Sequence, residues 1–129
     1  MIKNISNLGD AAVYCDFGDE VNQEINSKVI NYFQNLKESK FEGITNLTPS
    51  YNKLIVSFDL SITNFEKTKK IIENLEIKKN LSTSKKKIQI PVCCEEEYAL
   101  DLKKLERKLN KPTDEILETF FSKEYFCYM

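Results

Sequence analysis

Residues 44–58, ITNLTPSYNKLIVSF, contain the pattern that decides the fold. Residues 44–47 and 53–58 are short stretches rich in β-branched and other apolar residues, and the TPSYN between them has the composition of a turn. This arrangement predicts a β-hairpin. Residues 11–17 alternate in the same way and predict another strand. Its buried face is predicted to carry Val13, Cys15 and Phe17.

Two amphipathic helices are predicted on either side of this hairpin. The first begins after Asn22, a residue type suited to an N-cap, and runs to about Ser39, because apolar residues recur at helical spacing. These residues are Ile25, Val29, Ile30, Phe33 and Leu36. The second helix begins in residues 63–66, TNFE, which fit a capping box. Its buried side is predicted to carry Phe65, Ile71, Ile72 and Leu75.

A further strand is predicted at residues 88–92, where every second residue is Ile or Val. Pro91 has no backbone N–H, so this strand would lie at an edge or leave the sheet there. The predicted order is therefore strand, helix, strand, strand, helix, strand. That is the β-α-β-β-α-β order of a ferredoxin-like α+β fold, with an antiparallel sheet against two helices.

After this strand the pattern changes to two short helices, at residues 101–109 and 113–121. Their inward positions are predicted to be Leu102, Leu105, Leu109, Ile116, Leu117, Phe120 and Phe121. The sequence then ends on residues 124–129, EYFCYM, which look like a strand. We assign residues 1–84 to the ferredoxin-like domain and residues 85–129 to the start of a second domain.

The composition excludes several classes of catalytic site. The 129 residues include no histidine and three glycines. Without histidine the chain cannot form a Ser-His-Asp or Cys-His catalytic site, a mixed Cys/His zinc site or a haem site with a proximal histidine. With glycine only at Gly9, Gly18 and Gly43, neither glycine-rich phosphate-binding pattern can be written.

Charge and hydropathy argue against nucleic-acid binding and against a membrane span. The 19 basic and 20 acidic residues give a formal charge of −1, whereas a nucleic-acid-binding domain has a basic excess. The last predicted helix carries Asp114, Glu115 and Glu118, which would repel phosphate. No run approaches the roughly 18 apolar residues of a membrane span, and the N-terminus has no apolar signal segment. We therefore expect a cytoplasmic location.

The four cysteines do not suggest a metal site. Cys15, Cys93, Cys94 and Cys127 include no C-x-x-C spacing, and adjacent residues of a strand point to opposite faces. Because unpaired cysteine is among the most buried residue types, we predict buried apolar cysteines and no bound metal.

Two charged runs each have two interpretations. The lysines at positions 78, 79, 85, 86 and 87 are typical of a solvated edge, but could contact an anionic ligand or partner. Residues 95–97, three glutamates, are typical of a solvent-facing loop, although carboxylates that converge on one pocket could bind a cation or act as acid and base. No catalytic constellation can be built from these residues.

Four segments, in order and at matching spacing, resemble one family. Residues 7–12, NLGDAA, and 16–20, DFGDE, are similar to its opening PLGDSA…FGDEI, and residues 49–59 resemble its PAY…LLV.FD. The IPVC, EY and DL of residues 90–102 resemble IPVCYGGEYGPDL, and the EY of residues 124–125 and the YM of residues 128–129 match EY.VYM. This family comprises the B-type subunits of the bacterial ATP-dependent 5-oxoprolinase, also called allophanate hydrolase subunit 1, and includes the sporulation histidine-kinase inhibitor.

The resemblance implies a ferredoxin-like N-terminal domain followed by a cyclophilin-like β-barrel domain of the carboxyltransferase type. Residues 85–129 would be the incomplete start of that second domain. In the family the sequence continues into an LGF.PGF segment, so we expect either a truncated chain or a shortened paralogue. Residues 94–96, CEE, replace the family's Tyr-Gly-Gly, and residues 99–100, AL, replace its Gly-Pro, which disfavours a tight glycine turn there.

The function implied by the resemblance is that of an accessory subunit. It would join A-type and C-type 5-oxoprolinase subunits to convert 5-oxo-L-proline, ATP and water to L-glutamate. ATP and Mg²⁺ are implied for the complete complex, while no cofactor is expected on this chain and no catalytic residue is carried over. The alternative is a regulatory module that binds a sensor histidine kinase and blocks its autophosphorylation.

The resemblance also points to individual residues. The family-motif positions are Gly9, Asp10, Pro91, Cys93, Glu97, Tyr98, Asp101 and Tyr128. Those from Pro91 onward are expected to mark the junction of the two domains. Packing and capping are the other interpretation of the same positions, since Asp101 is a natural N-cap.

Overall fold

The protein is described by a computed structural model that covers residues 2–78 and 87–128. Its elements are β1 (Asn4–Asn7), β2 (Ala12–Asp16), α1 (Gln23–Ser39), β3 (Ile44–Pro49), β4 (Lys53–Phe58), α2 (Phe65–Glu73), α3 (Leu102–Leu109) and α4 (Thr113–Phe121). The described residues form two compact units, one of residues 2–78 with Tyr128 and one of residues 87–127. We call them the first and the second unit. The predicted α+β class is confirmed.

The first unit is built on a four-stranded antiparallel sheet in the order β1-β2-β4-β3. The predicted hairpin is confirmed as β3 and β4, and a β-bulge interrupts its register between Ile44 and Asn46. β1 and β3 are the two edge strands.

The core of the first unit follows the predicted alternation. Val13, Cys15 and Phe17 are buried, and β4 contributes Leu54, Val56 and Phe58 at every second position. Val29 and Leu36 of α1 and Ile72 of α2 complete the cluster. Burying each large apolar side chain contributes about 1.5–3 kcal/mol, so this cluster is the main source of the unit's stability.

Helix capping confirms one prediction and corrects another. Asn22 caps α1 as predicted, and its Oδ1 accepts a hydrogen bond from the Ile25 N–H at 2.9 Å. The N-cap of α2 is Asn64, whose Oδ1 accepts from the Lys67 N–H at 3.0 Å. The capping box with Thr63 as N-cap is therefore wrong. Thr63 is buried, so it packs inside the unit instead of capping the helix.

The predicted strand at residues 88–92 is also wrong, because these residues have no strand pairing in the structure. β1, which the alternation did not identify, pairs with the edge of β2 instead. A four-residue turn separates β1 from β2, so closing this hairpin costs less entropy than bringing back a segment some 70 residues later. Pro91 would further weaken a ladder there.

In the second unit the two predicted helices are present, but their apolar side chains are not fully buried. α3 and α4 match the predicted bounds within one residue, yet neither helix contains a buried residue. Leu102, Ile116 and Leu117 are half-buried. The predicted inward placement is wrong for the four residues that are exposed, Leu105, Leu109, Phe120 and Phe121. Residues 124–128 form no strand either. A strand needs a neighbour to pair its backbone groups, and the described chain places none beside these residues.

None of the helices in the described ranges is both long and apolar enough to cross a membrane.

Candidate functional site

The predicted site residues lie in three separate places. The first is the turn between β1 and β2, which contains Gly9 and Asp10. Gly9 has φ +62°, and no atom lies within 4 Å of where its Cβ would stand. The Leu8 N–H donates to the Ala12 carbonyl oxygen at 2.9 Å and closes the turn. Gly9 therefore serves the backbone conformation, and Asp10 is exposed beside it.

The second place is the segment that leads into α3, in the second unit. Pro91, Cys93, Glu97, Tyr98 and Asp101 are all exposed. Glu97 and Tyr98 lie in a turn, in which the N–H groups of Tyr98 and Ala99 both donate to the Glu95 carbonyl oxygen at 2.9 Å. The structure thus brings these five positions onto one short segment, but not into a closed pocket.

Asp101 stands at the N-cap position of α3 without acting as a cap. Its backbone is helical, with φ −98° and ψ −4°, and its side chain makes no capping hydrogen bond. A different carboxylate stabilises a helix start in this unit. Glu106 accepts from the N–H of Thr113 at 2.8 Å and from its hydroxyl, which joins α3 to the beginning of α4. These hydrogen bonds hold the pKa of Glu106 below its usual value.

The third place is Tyr128, which packs in the first unit. Its carbonyl oxygen accepts a hydrogen bond from Nδ2 of Asn26 at 2.8 Å. Its ring meets the ring of Tyr51 edge to face, with centroids 5.9 Å apart. Tyr128 is thus anchored on α1 and on the turn between β3 and β4.

Asn26 is the residue that sequence reasoning missed. It is buried, and its Nδ2 also lies 3.2 Å from the Tyr51 carbonyl oxygen and 3.4 Å from that of Ser50. One amide group therefore ties together α1, the hairpin turn and Tyr128. The one signal for it was an asparagine within the apolar stripe of α1, between Ile25 and Val29.

Residues 16–20, DFGDE, are held by hydrogen bonds between side chains and the backbone and by an ion pair. Asp16 and Lys53 face each other across β2 and β4, with Nζ 2.5 Å from Oδ1. Lys53 also donates to the Gly18 carbonyl oxygen at 2.7 Å, and the Gly18 N–H donates to Asp16 at 2.8 Å. The hydrogen bond from Lys53 lowers the pKa of Asp16, and the same bond raises the pKa of Lys53. Asp16 is consequently a structural carboxylate.

The remaining chemistry-bearing side chains do not converge. Burial raises the pKa of the Cys15 thiol to about 12, so it is not a thiolate at neutral pH. The prediction of buried cysteines holds for Cys15 but is wrong for Cys93 and Cys127, which are exposed because their segments pair with no strand. Within residues 2–78 and 87–128, no three Cys, Asp or Glu side chains come close enough to hold a metal ion.

The charged runs are solvated where the structure describes them. Glu96 pairs with Lys103, and Lys87 pairs with Glu124, all with exposed side chains. Exposed pairs of this kind add little to stability, because water and salt screen their charges. The prediction for the lysines at 79, 85 and 86 lies outside the described residues.

The polar contacts of Asn26 and of Asp16 with Lys53 therefore anchor chain segments to one another. In a comparison with known proteins, the profile of the carboxyltransferase domain, subdomain C and D, matches residues 3–129. The chain belongs to that family. A curated relative, the B-type subunit of 5-oxoprolinase from Bacillus subtilis (strain 168), is 27% identical over 137 residues that cover 97% of this chain.

Two solved structures resemble this carboxyltransferase-domain chain. A conserved uncharacterized protein from Pyrococcus horikoshii is 25% identical, with a TM-score of 0.55 over 89% of the chain. TTHA0988 is 18% identical, with a TM-score of 0.69 over 84% of the chain, and shares the fold. The chain spans 57% of the length of the curated relative, and 53% and 21% of the two solved chains.

Proposed function

We propose that this chain is an accessory subunit of an ATP-dependent 5-oxoprolinase. The complex would convert 5-oxo-L-proline, ATP and water to L-glutamate, ADP and phosphate. The observation that carries the proposal is the 27% identity to the B-type 5-oxoprolinase subunit across 97% of the chain, together with family membership over residues 3–129.

The role proposed for the chain is a scaffold. Opening a lactam with ATP requires cations or Mg²⁺ to stabilise negative charge on the phosphoryl group and on the amide oxygen. Among the described residues, no three Cys, Asp or Glu side chains come close enough to form a metal site. We therefore assign ATP and Mg²⁺ to A-type and C-type partner subunits, and to this chain the anchoring contacts of Asn26, Tyr51 and Tyr128.

The test is reconstitution with the A-type and C-type subunits from the same genome. We expect ATP hydrolysis that depends on 5-oxoproline, with glutamate formed in equal amount. Omitting this chain should reduce turnover by at least tenfold. A stable three-component complex without turnover, or turnover that is unchanged when this chain is omitted, would refute the proposal.

The alternative prediction is inhibition of a sensor histidine kinase, and it rests on family resemblance alone. The same preparation can be titrated into a kinase autophosphorylation assay. Stoichiometric loss of phosphorylation, with no 5-oxoproline turnover in the reconstituted complex, would favour the regulatory function. In either case we propose a cytoplasmic location, because both sets of partners act there.

A further inference from the structure

We propose that the outer edge of β3, which pairs with no further strand in residues 2–78 and 87–128, binds an extended segment of a partner protein together with the groove beside it. The segment carries an apolar residue and, two residues later, a carboxylate. Three features of the first unit support this proposal. They are a groove with an apolar lining, the backbone N–H and C=O groups of β3 that point away from β4, and a pair of lysines. The proposal does not depend on the function proposed above.

The groove lies between the end of α1 and β3 and has a volume of about 470 Å³. Its apolar lining consists of Phe33, Leu36, Phe41, Ile44 and Leu47. All five belong to the core or pack against it, so the lining is held by the fold. This volume suits one or two side chains of an incoming segment.

The hydrogen-bond pattern of the hairpin shows which backbone groups face the open edge. The Ser50 N–H donates to the Lys53 carbonyl oxygen at 2.9 Å, so this pair is hydrogen-bonded. Along an antiparallel ladder, residue pairs that exchange backbone hydrogen bonds alternate with pairs that do not. Thr48 therefore belongs to a hydrogen-bonded pair, and the backbone N–H and C=O of Leu47 point away from β4. Leu47 therefore offers both its N–H and its C=O at the edge, and Pro49 offers a C=O. The bulge and Pro49 limit pairing to a short stretch.

The charged side chains that line the groove are all basic. Lys37 and Lys40 line the groove, and its lining contains no acidic residue. Within the described residues, neither lysine has a carboxylate within 4 Å, although Lys37 lies over the Phe33 ring at 5.6 Å. An incoming carboxylate would thus meet two cations that are not already engaged in an ion pair.

These features set the order of residues in the partner. On an added antiparallel strand, the residue opposite Leu47 points to the same face as Leu47, which packs against the core. That residue should be apolar. Side chains two positions apart share a face, and the next such residue lies toward the start of β3, where α1 ends with Lys37 and Lys40. That residue should be Asp or Glu.

The test uses the 129-residue chain and the peptide acetyl-Thr-Val-Thr-Val-Thr-Glu-Thr-amide, followed by NMR titration. We expect saturable shifts confined to residues 33–49, which include the groove lining and β3. A peptide with Lys in place of Glu is the matched control and should bind roughly three- to tenfold more weakly. Equal binding of the two peptides, shifts elsewhere, or no binding at millimolar concentration would overturn the proposal.

A charge swap separates the role of the lysines from their effect on the helix end. In the double variant Lys37→Glu and Lys40→Glu, the preference should reverse, and the Lys peptide should bind more tightly than the Glu peptide. Both positions are exposed, so the fold should survive, which a thermal melt checks. An unchanged preference would show that the lysines serve only the C-terminus of α1 and would overturn the proposed recognition.

Two further measurements test the strand edge. A peptide N-methylated at the central valine cannot donate to the Leu47 carbonyl oxygen and should bind at least tenfold more weakly. Hexanoate, an apolar carboxylate without a peptide backbone, should not compete at equal concentration. Competition by hexanoate, or concentration-dependent shifts of residues 44–49 without peptide, would assign the groove to a small anion or to a second copy and refute the proposal.

Discussion

The two units of the chain use similar sequence patterns but differ in burial. In the first unit, nine apolar side chains from the sheet and both helices are 3% exposed or less. In the second unit, α3 and α4 have the same helical spacing of apolar residues, yet Leu109 is 51% exposed and Phe121 55%. A helical pattern therefore predicts that a helix forms, whereas full burial requires a second surface, which the sheet supplies in the first unit.

The largest expected difference between the units comes from truncating one leucine in each. Leu54→Ala in β4 should lower the free energy of unfolding by about 2–5 kcal/mol, because Leu54 is fully buried and a cavity remains. Leu109→Ala in α3 should change it by about 0.5 kcal/mol or less. Urea unfolding followed by circular dichroism measures both. Equal losses would mean that the second unit has a core of its own.

A smaller loss is expected at Asn26. Asn26→Leu keeps the branched shape of the side chain but leaves the carbonyl oxygens of Tyr51 and Tyr128 without this donor, which should cost about 1–3 kcal/mol. The C-terminal residues should also become more susceptible to carboxypeptidase. Ser27→Leu, on the exposed side of α1, is the matched control and should leave both readouts near the wild-type values. Unchanged digestion of the Asn26 variant would show that Tyr128 is held by other contacts.

A backbone effect is expected at Gly9. Gly9→Ala should destabilise the first unit by roughly 1 kcal/mol, because φ is +62° and alanine is disfavoured there. Open space around the site excludes a steric clash as the cause. Gly9→Asn should lose less than Gly9→Ala, since asparagine tolerates this region better. The reverse order in a thermal melt would contradict a conformational cause.

The smallest effect is the pH dependence of the Asp16–Lys53 pair. The pKa of Asp16 is lowered in the fold, so its contribution is present above the unfolded pKa of about 3.9 and is lost as pH falls through the folded value. The pKa of Lys53 is raised, so its contribution is present below about 10.4 and is lost as pH rises through the folded value.

We therefore expect Asp16→Asn to cost about 0.5–1 kcal/mol at pH 7 and to approach wild-type stability near pH 2. Urea titrations at a series of pH values measure this difference. Glu96→Gln, in an exposed pair of the second unit, is the comparison and should show almost no dependence on pH. A cost for Asp16→Asn that stays constant from pH 7 to pH 2 would assign the loss to packing instead of charge.

Local patterns predicted the elements better than their partners. The bounds of α1 follow from the helical spacing of its apolar residues, and its N-cap at Asn22 follows from a hydrogen bond to a residue three positions later. Both were predicted correctly. β1 was not, because three of residues 4–7 are polar and the segment becomes a strand only by pairing with β2. The predicted cap of α2 was one residue early, because a capping box does not distinguish Thr63 from its neighbour Asn64.

The candidate site shows the same limit. Tyr128 was named from the resemblance, but its contacts could not be, since Asn26 lies 102 residues away in sequence. Cys93 was predicted to be buried, because a strand was predicted at residues 88–92. That strand does not form, and Cys93 is exposed. Residues whose role requires a distant segment carry little signal in their own neighbourhood.

By itself the sequence determined the hairpin, the helices, the α+β class, the absence of histidine chemistry and the family resemblance. These depend on composition, periodicity and contacts between near neighbours. Only the tertiary structure decided that β1 completes the sheet, that Asn26 anchors Tyr128, and that β3, beside Lys37 and Lys40, is an edge strand among the described residues. Such outcomes are set by competition between distant segments for the same hydrogen-bonding groups and the same apolar surface.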